Sequence, residues 1–208
     1  MKIKYLIITV ISFTALSIIT GFNMITSLLH IRASVSHSEE TKNTLEDLTL
    51  RVKSISDLYS VLYETDSFNE VRLIPYCNKV INTMVNLSKN ITLNKNIEDH
   101  AALSTTAATI GMILVELISN VIKYAFPDPT MGILNIELKQ RDSQMELVVE
   151  DNGVGLPEGF DINSIKSIGL HLVNLMVSQL DGTIQFIPGK GTKIHIKFPL
   201  QMGNKLPS

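Results

Sequence analysis

The chain has no tryptophan and one cysteine, and it has almost no net charge: 18 lysines and arginines stand against 20 aspartates and glutamates in 208 residues. One cysteine cannot close an intrachain disulfide, and no Cys/His cluster has the spacing of a metal site, so neither a disulfide framework nor a structural zinc supports the fold. Cys77 is most simply a small buried apolar residue. A formal charge of −2 removes the global attraction that draws a protein onto nucleic acid or an anionic surface. No nucleic-acid partner is expected, and any phosphate chemistry must be local. Internal repeats and low-complexity tracts are also missing.

What is present is enough chain for one domain of ordinary size and a smaller appendage. Residues Tyr5 to Phe22 carry no charge and follow Lys2 and Lys4. Their length suits a single membrane span, a signal peptide with a basic start, or the first helix of a buried hairpin. The two lysines would keep the N-terminus in the cytoplasm and send whatever follows a span outside, with Arg32 a weak counterweight. From Leu45, apolar residues recur at steps of three and four through Leu48, Val52, Ile55, Tyr59 and Leu62, the seam of a helix packed lengthwise on another. Met24, Ile25, Leu28, Leu29 and Ile31 offer a partner helix, joined through the polar segment Ser34 to Asn43. Such a hairpin is too thin to bury a core alone, and pairing into a four-helix bundle would complete it.

Beyond Asp66 the pattern changes. Leu73 to Leu87 reads as helix and Ile91 to Ile97 as a strand. Thr105 or Thr106 is placed to cap a long helix that Pro127 stops after Phe126. Ile133 to Lys139 and Met145 to Glu150 read as paired strands, Leu170 to Leu180 as a helix broken by Gly182, and Ile184 to Ile187 with Lys193 to Phe198 as a last hairpin. The order predicts an α+β fold in which helices cover one face of a mixed, largely antiparallel sheet. The expected divisions are an apolar segment 1–22, a helical hairpin 23–66, an α+β domain 67–201 and a tail 202–208.

Chemistry gathers in three places. On the long helix, Ile110, Leu114, Leu117 and Val121 share one face, and Glu116, Asn120 and Lys123 line another at steps of four and three. An acid, a carboxamide and an amine on one stripe also suit an ordinary solvated face. The next motif adds weight: a strand runs directly into Asp151-Asn152-Gly153-Val154-Gly155-Leu156-Pro157. Glycines one residue apart allow positive φ and close approach of the backbone to a flat ligand, and Asp151 can accept from an exocyclic amine. A plain Asn-Gly turn is the bland alternative. Third, Ser167-Ile168-Gly169-Leu170 opens a helix whose free N–H groups favour phosphate, unless Ser167 is simply an N-cap. Gly189-Lys190-Gly191-Thr192 lacks Walker-loop spacing and reads as a hairpin turn.

The series ELISNVIKYAFP, DNGVGLP, SIGLHLV, GKGT resembles the asparagine and glycine boxes of the GHKL ATPases, and its detail resembles sensor histidine kinases of the HWE-related type. The likeness covers about residues 68–199, and SLLHIRAS with RVKSISDLYSVLYE resembles that family's dimerisation helices. It implies a Bergerat-type ATP-binding sandwich with ATP and Mg²⁺ as cofactors. Asn120 would be the Mg²⁺ ligand and Glu116 the acid that polarises an attacking group or a metal-bound water. Lys123 would approach a phosphate, and Gly169 with Leu170 at the helix start would hold phosphates. Asp151 would read the adenine amino group, with Gly153 and Gly155 shaping its pocket and Thr192 supporting Asp151 through a hydroxyl or water. Residues Leu156 to Ile168 would form a lid.

The implied activity is a two-component kinase that transfers the ATP γ-phosphoryl to a protein histidine, with a response regulator as partner and a homodimer through the hairpin. The implied place is the cytoplasm, with residues 5–22 an anchor to the inner face of the membrane where they span it. One element departs from the family: its acceptor motif begins with histidine, and the matching position here is Leu16 within LSIITG. His30 and His37 lie elsewhere in the pattern and read as structural, as do His171 and His195, while His100 has no evident role. The missing acceptor leaves two other readings, a non-catalytic pseudokinase dimer and an anti-sigma-like serine kinase.

Overall fold

The computed structural model describes residues 2–64, 70–86, 88, 90–127, 131–156 and 168–199. Two long helices come first, α1 (Lys2–Ser34) and α2 (Glu39–Glu64). They pack side by side as a hairpin. The link is shorter than the polar composition of 34–43 suggests. Ser38 Oγ accepts the Thr41 N–H at 3.3 Å, and Glu39 and Glu40 occupy the first turn, so a capped helix start with favourable charge consumes most of that polar segment. Helix α1 runs unbroken through residue 22, and its side chains before residue 17 lie outside the described residues.

The remaining elements build the α+β domain. They are β1 (Glu70–Arg72), α3 (Leu73–Val85), β2 (Ile91–Ile97), β3 (Ala101–Leu103), α4 (Ser104–Asn120), a π-helical turn (Val121–Ala125), β4 (Gly132–Arg141), β5 (Gln144–Asp151), α5 (Ile168–Gln179), β6 (Thr183–Gly189) and β7 (Gly191–Pro199). The main sheet has the order β2-β4-β5-β7-β6, with β2 parallel to β4 and every other pair antiparallel. Strands β1 and β3 form a separate two-stranded ribbon, three residues each and too short to show a period in the sequence.

Alternation in the sheet decides where the core lies. Leu134, Ile136 and Leu138 on β4, Met145, Leu147 and Val149 on β5, and Ile194, Ile196 and Phe198 on β7 are buried on one face. Tyr76, Ile81 and Met84 of α3, Ile110, Leu114 and Leu117 of α4, and Val173 and Val177 of α5 belong to the same core cluster. Each large aliphatic side chain buried there contributes roughly 1.5–3 kcal/mol. Asp151 follows Val149 in the inward series of β5 and pairs with Leu134. Strand parity therefore sets a carboxylate where the core would take an apolar side chain.

Helix α4 differs from expectation at both ends. Neither Thr105 nor Thr106 caps it: the helix begins at Ser104, directly out of β3, with Leu103 extended and no side-chain cap, and Thr109 Oγ1 bonds back to the Thr105 carbonyl. The ribbon delivers the chain already aimed into the helix. At the other end the α-helix yields at Asn120 to a wider π turn before Phe126. By length and composition Ser104–Ala125 could cross a membrane, but 67% of its most apolar stretch is buried between the sheet and α3, as in the core helix of a globular domain.

Candidate functional site

The end of α4, the turn after β5, the start of α5 and the β6–β7 turn converge at one end of the sheet. Glu116 is 7% exposed, and its Oε1 lies 2.5 Å from Arg51 Nε of α2. Its other oxygen, Oε2, lies so close to Gly169 that a Cβ there would sit 2.8 Å away. The acid of α4 thus joins the hairpin to the first turn of α5. Burial pushes its carboxyl above the ordinary range, the Arg51 guanidinium pulls it back, Asp47 adds to the rise and Lys123 opposes it.

One turn on, Asn120 is half-buried, and its buried Nδ2 has no partner among the described residues. A buried carboxamide without a partner costs about 1–3 kcal/mol. It marks a place where a polar ligand would be stabilised. Lys123 stands in the π turn, and its Nζ donates to Asp47 Oδ1 at 2.5 Å, each side chain about one-third exposed. The wider turn swings the amine off the straight α stripe and toward α2.

Asp151 is 3% exposed. Its Oδ1 accepts the Gly153 N–H at 2.8 Å and the Thr192 N–H at 3.2 Å. The link from Thr192 therefore runs through its backbone. Asn152 Oδ1 takes the Ile133 N–H at 2.7 Å, and the Val154 N–H donates to the Ala125 carbonyl at 2.9 Å. These bonds fix the turn to the start of β4 and to the end of the π turn. Gly153 is required by contact, since a Cβ would stand 2.2 Å from the Ala125 oxygen, and Gly155 by its φ of +78°.

Beside this turn lies a cleft of about 340 Å³ lined by Ala125, Phe126, Pro127, Met131, Asn152, Gly153 and Val154. It is the size of a small-ligand pocket. Gly169 and Leu170 occupy the first turn of α5. Of the expected lid, Leu156 to Ile168, all but the two end residues lies outside the described residues, as does the Ser167 cap. His30 is exposed on α1 and His171 on α5. His195 is half-buried beside Glu146 at 3.2 Å, and His100 lies 3.3 Å from Glu98 while its carbonyl accepts the Leu73 N–H, so both serve the fold.

Glu116, Asn120, Lys123, Asp151, Gly153, Gly155, Gly169, Leu170 and Thr192 are thereby brought to one end of the domain. Sequence reasoning missed Asp47 and Arg51. Both lie on α2 off its apolar seam, where charged residues normally face water, so their spacing of four was the only signal.

Known proteins resemble both the hairpin and the α+β domain. The family described as histidine kinase-, DNA gyrase B-, and HSP90-like ATPase matches residues 105–202, and the family described as histidine kinase matches residues 21–88. Sensor histidine kinase PdtaS of Mycobacterium tuberculosis is 28% identical over 193 residues, covering 88% of this chain and 38% of the relative. Blue-light-activated histidine kinase 2 of Erythrobacter litoralis is 24% identical over 191 residues, 88% of this chain and 55% of the relative. The chain thus spans between about a third and just over half the length of these relatives. Among solved structures, the histidine kinase domain of the Erythrobacter litoralis EL346 blue-light activated kinase shares the fold, with a TM-score of 0.72 over 90% of this chain and 94% of that one at 20% identity.

Proposed function

The chain belongs to the histidine kinase-like branch of the GHKL ATPases, with a kinase-type helical hairpin ahead of the ATPase domain, and from that membership we propose that it binds Mg-ATP at the Glu116–Asp151 end of the domain and passes the γ-phosphoryl to a protein histidine. The observation that carries this is the joint placement of Asn120, whose buried Nδ2 has no partner among the described residues, a buried acid, Glu116, and a glycine turn held by the buried Asp151. The branch is that of sensor kinases of two-component signalling.

In this reading Asp151 reads the exocyclic amine of the adenine, and its bond to the Gly153 N–H keeps the turn open beside the cleft. Gly153 and Gly155 shape the pocket wall. Oxygen donors suit Mg²⁺, and the side-chain oxygen of Asn120, one turn from Glu116, would hold it, while its Nδ2 would be free to donate to a phosphate oxygen. Bound there, the ion would neutralise phosphate charge. Lys123 and the N–H groups at Gly169 and Leu170 hold phosphate oxygens, and Thr192 supports Asp151. Glu116 polarises the attacking group. Transfer of this type depends on position and charge, which a rigid α4 and a pinned turn supply.

The acceptor histidine would come from another chain, since Leu16 stands at the family's acceptor position. A response regulator would receive the phosphoryl in turn. Exposed Met24, Leu28 and Ile31 on α1, with exposed Val35 just beyond its end, favour a second copy of the hairpin as neighbour, giving a homodimer. Dependence on ATP requires the catalytic domain to be cytoplasmic, so an anchor at residues 5–22 would have to hold it on the inner face of the membrane against the orientation that Lys2 and Lys4 favour.

The test combines binding with transfer. The chain is titrated with a fluorescent ATP analogue with and without Mg²⁺, then incubated with γ-labelled ATP and a fuller histidine kinase whose own ATP site is disabled. Mg²⁺-dependent binding followed by acid-labile label on the second protein is expected. Binding without transfer would leave the pseudokinase reading, acid-stable label would leave the serine-kinase reading, and absence of binding would refute both kinase readings and leave only a non-catalytic dimer.

A further inference from the structure

Two residues of the hairpin, four apart on α2, grip two residues of the ATPase domain that are seven apart. Asp47 Oδ1 lies 2.5 Å from Lys123 Nζ, and Arg51 Nε lies 2.5 Å from Glu116 Oε1. Helical geometry explains why both pairs form together. A step of four on α2 is about one turn, and Arg51 and Asp47 face α4 along one edge. Glu116 and Lys123 belong to the same polar stripe, with the π turn carrying Lys123 outward to meet Asp47. The charges alternate along both partners, acid then base on α2 and acid on α4 then base in the π turn, so the two fit in one register and a sliding shift would pair like with like.

Both gripped groups are ones that the proposed nucleotide site needs. A triphosphate brings several negative charges to Lys123. That amine already has a carboxylate at hydrogen-bonding distance, and Asp47 cannot stay there beside a phosphate without like-charge repulsion. We propose that Asp47 is a built-in competitor for the nucleotide's phosphates: while α2 is docked it occupies Lys123, and nucleotide binding must displace it. The inference rests on the reading of Lys123 as a phosphate contact. It adds that the helical hairpin and the nucleotide hold the ATPase domain in alternation, and that each weakens the other by the same factor.

The competitor's strength is bounded by its exposure. With both side chains one-third exposed, water screens the pair, and such pairs are worth ~0.2–1 kcal/mol, or about 1.4- to 5-fold in affinity.

The experiment uses the full chain with Mg²⁺ and a fluorescent ATP analogue, comparing wild type with Asp47→Asn and with Glu46→Gln. Glu46 is the neighbouring exposed acid on α2, so it reports the general effect of removing one negative charge. Asp47 is not buried, and thermal melts of both variants should overlay wild type. Asp47→Asn is expected to bind about 1.4- to 5-fold tighter, Glu46→Gln to match wild type, and the gap to shrink at ~1 M salt, where the Debye length falls to about 3 Å. Asp47→Asn binding that equals or falls below wild type, or an equal gain in Glu46→Gln, overturns the competitor while leaving the nucleotide site intact. No binding by any of the three proteins overturns both. Binding by Asp47→Asn alone supports the inference in its strongest form.

Discussion

Gly189 and Gly191 flank one lysine in the same turn, yet they face different physical demands. Gly191 has φ +84°, and a Cβ there would stand 2.0 Å from the Asp151 carbonyl oxygen. Both the strained backbone and the collision fall on rigid main chain, which cannot yield cheaply. Gly189 meets nothing within 4 Å. Gly191→Ala is expected to lower stability by ~2 kcal/mol or more and to weaken ATP-analogue binding, because the displaced segment is the one whose Thr192 N–H holds Asp151. Gly189→Ala should stay within ~0.5 kcal/mol of wild type with unchanged affinity. Urea denaturation and a binding titration read both. Asp151 itself was legible in the sequence, as an acid that ends a strand and is followed by Asn-Gly. The difference between the two glycines was not, because it depends on how closely the β5 and β7 ends approach. Asp47 and Arg51 were equally hidden, since a charged residue on an amphipathic helix gives no sign of whether it meets water or another domain.

Packing between elements has its sharpest test where α3 crosses α4. A Cβ at Gly111 would stand 1.8 Å from the Tyr76 hydroxyl, so this glycine lets the aromatic ring lie against the helix backbone. The Tyr76 hydroxyl is buried without a partner among the described residues. Removing it in Tyr76→Phe leaves the ring packing and discards an uncompensated polar group, so that variant should be neutral or stabilised by up to ~1 kcal/mol. Gly111→Ala alone should cost ~1–3 kcal/mol. In the double variant the added methyl enters the space left by the hydroxyl, and the two changes should couple favourably by ~1 kcal/mol, with the ring itself preventing full rescue. A double-mutant cycle by chemical denaturation decides the matter, and strict additivity would show that the two helices separate to relieve the contact.

The elements themselves were largely legible. Period-two alternation marked β4, β5 and β7, and β2 appears at the expected Ile91–Ile97. What escaped were features with no period of their own: the three-residue ribbon β1–β3, the π turn after Asn120 and the early start of α2.

At the scale of the whole molecule, Cys77 reports whether the ATPase domain opens in parts or as a unit. It is fully buried on α3 within the core cluster that also includes α4, α5 and the inner face of the sheet. Burial pushes its thiol from an ordinary 9.0 up to about 12, so at pH 8 the folded chain presents neither access nor thiolate to a reagent. Labelling therefore needs an opening of the core. Because the core is continuous, that opening should be global, and the labelling rate should rise with urea at the slope found for equilibrium unfolding. A much shallower slope would mean that α3 detaches locally. The same thiol gives the molecule a pH dependence whose sign is fixed. The folded state keeps the proton to about 12 and the unfolded chain releases it from 9.0 upward, so ionisation favours unfolding. Stability attributable to Cys77 is complete up to about pH 8, one unit below the unfolded value of 9.0, and declines as pH rises toward the folded value, at a limiting slope of ~1.4 kcal/mol per unit. Lysines and tyrosines titrate nearby, so the measurement is the difference between wild type and Cys77→Ala in urea at pH 8, 9 and 10. That difference should be constant up to about pH 8 and shrink beyond it, and a difference independent of pH would place the thiol within reach of water in the folded chain.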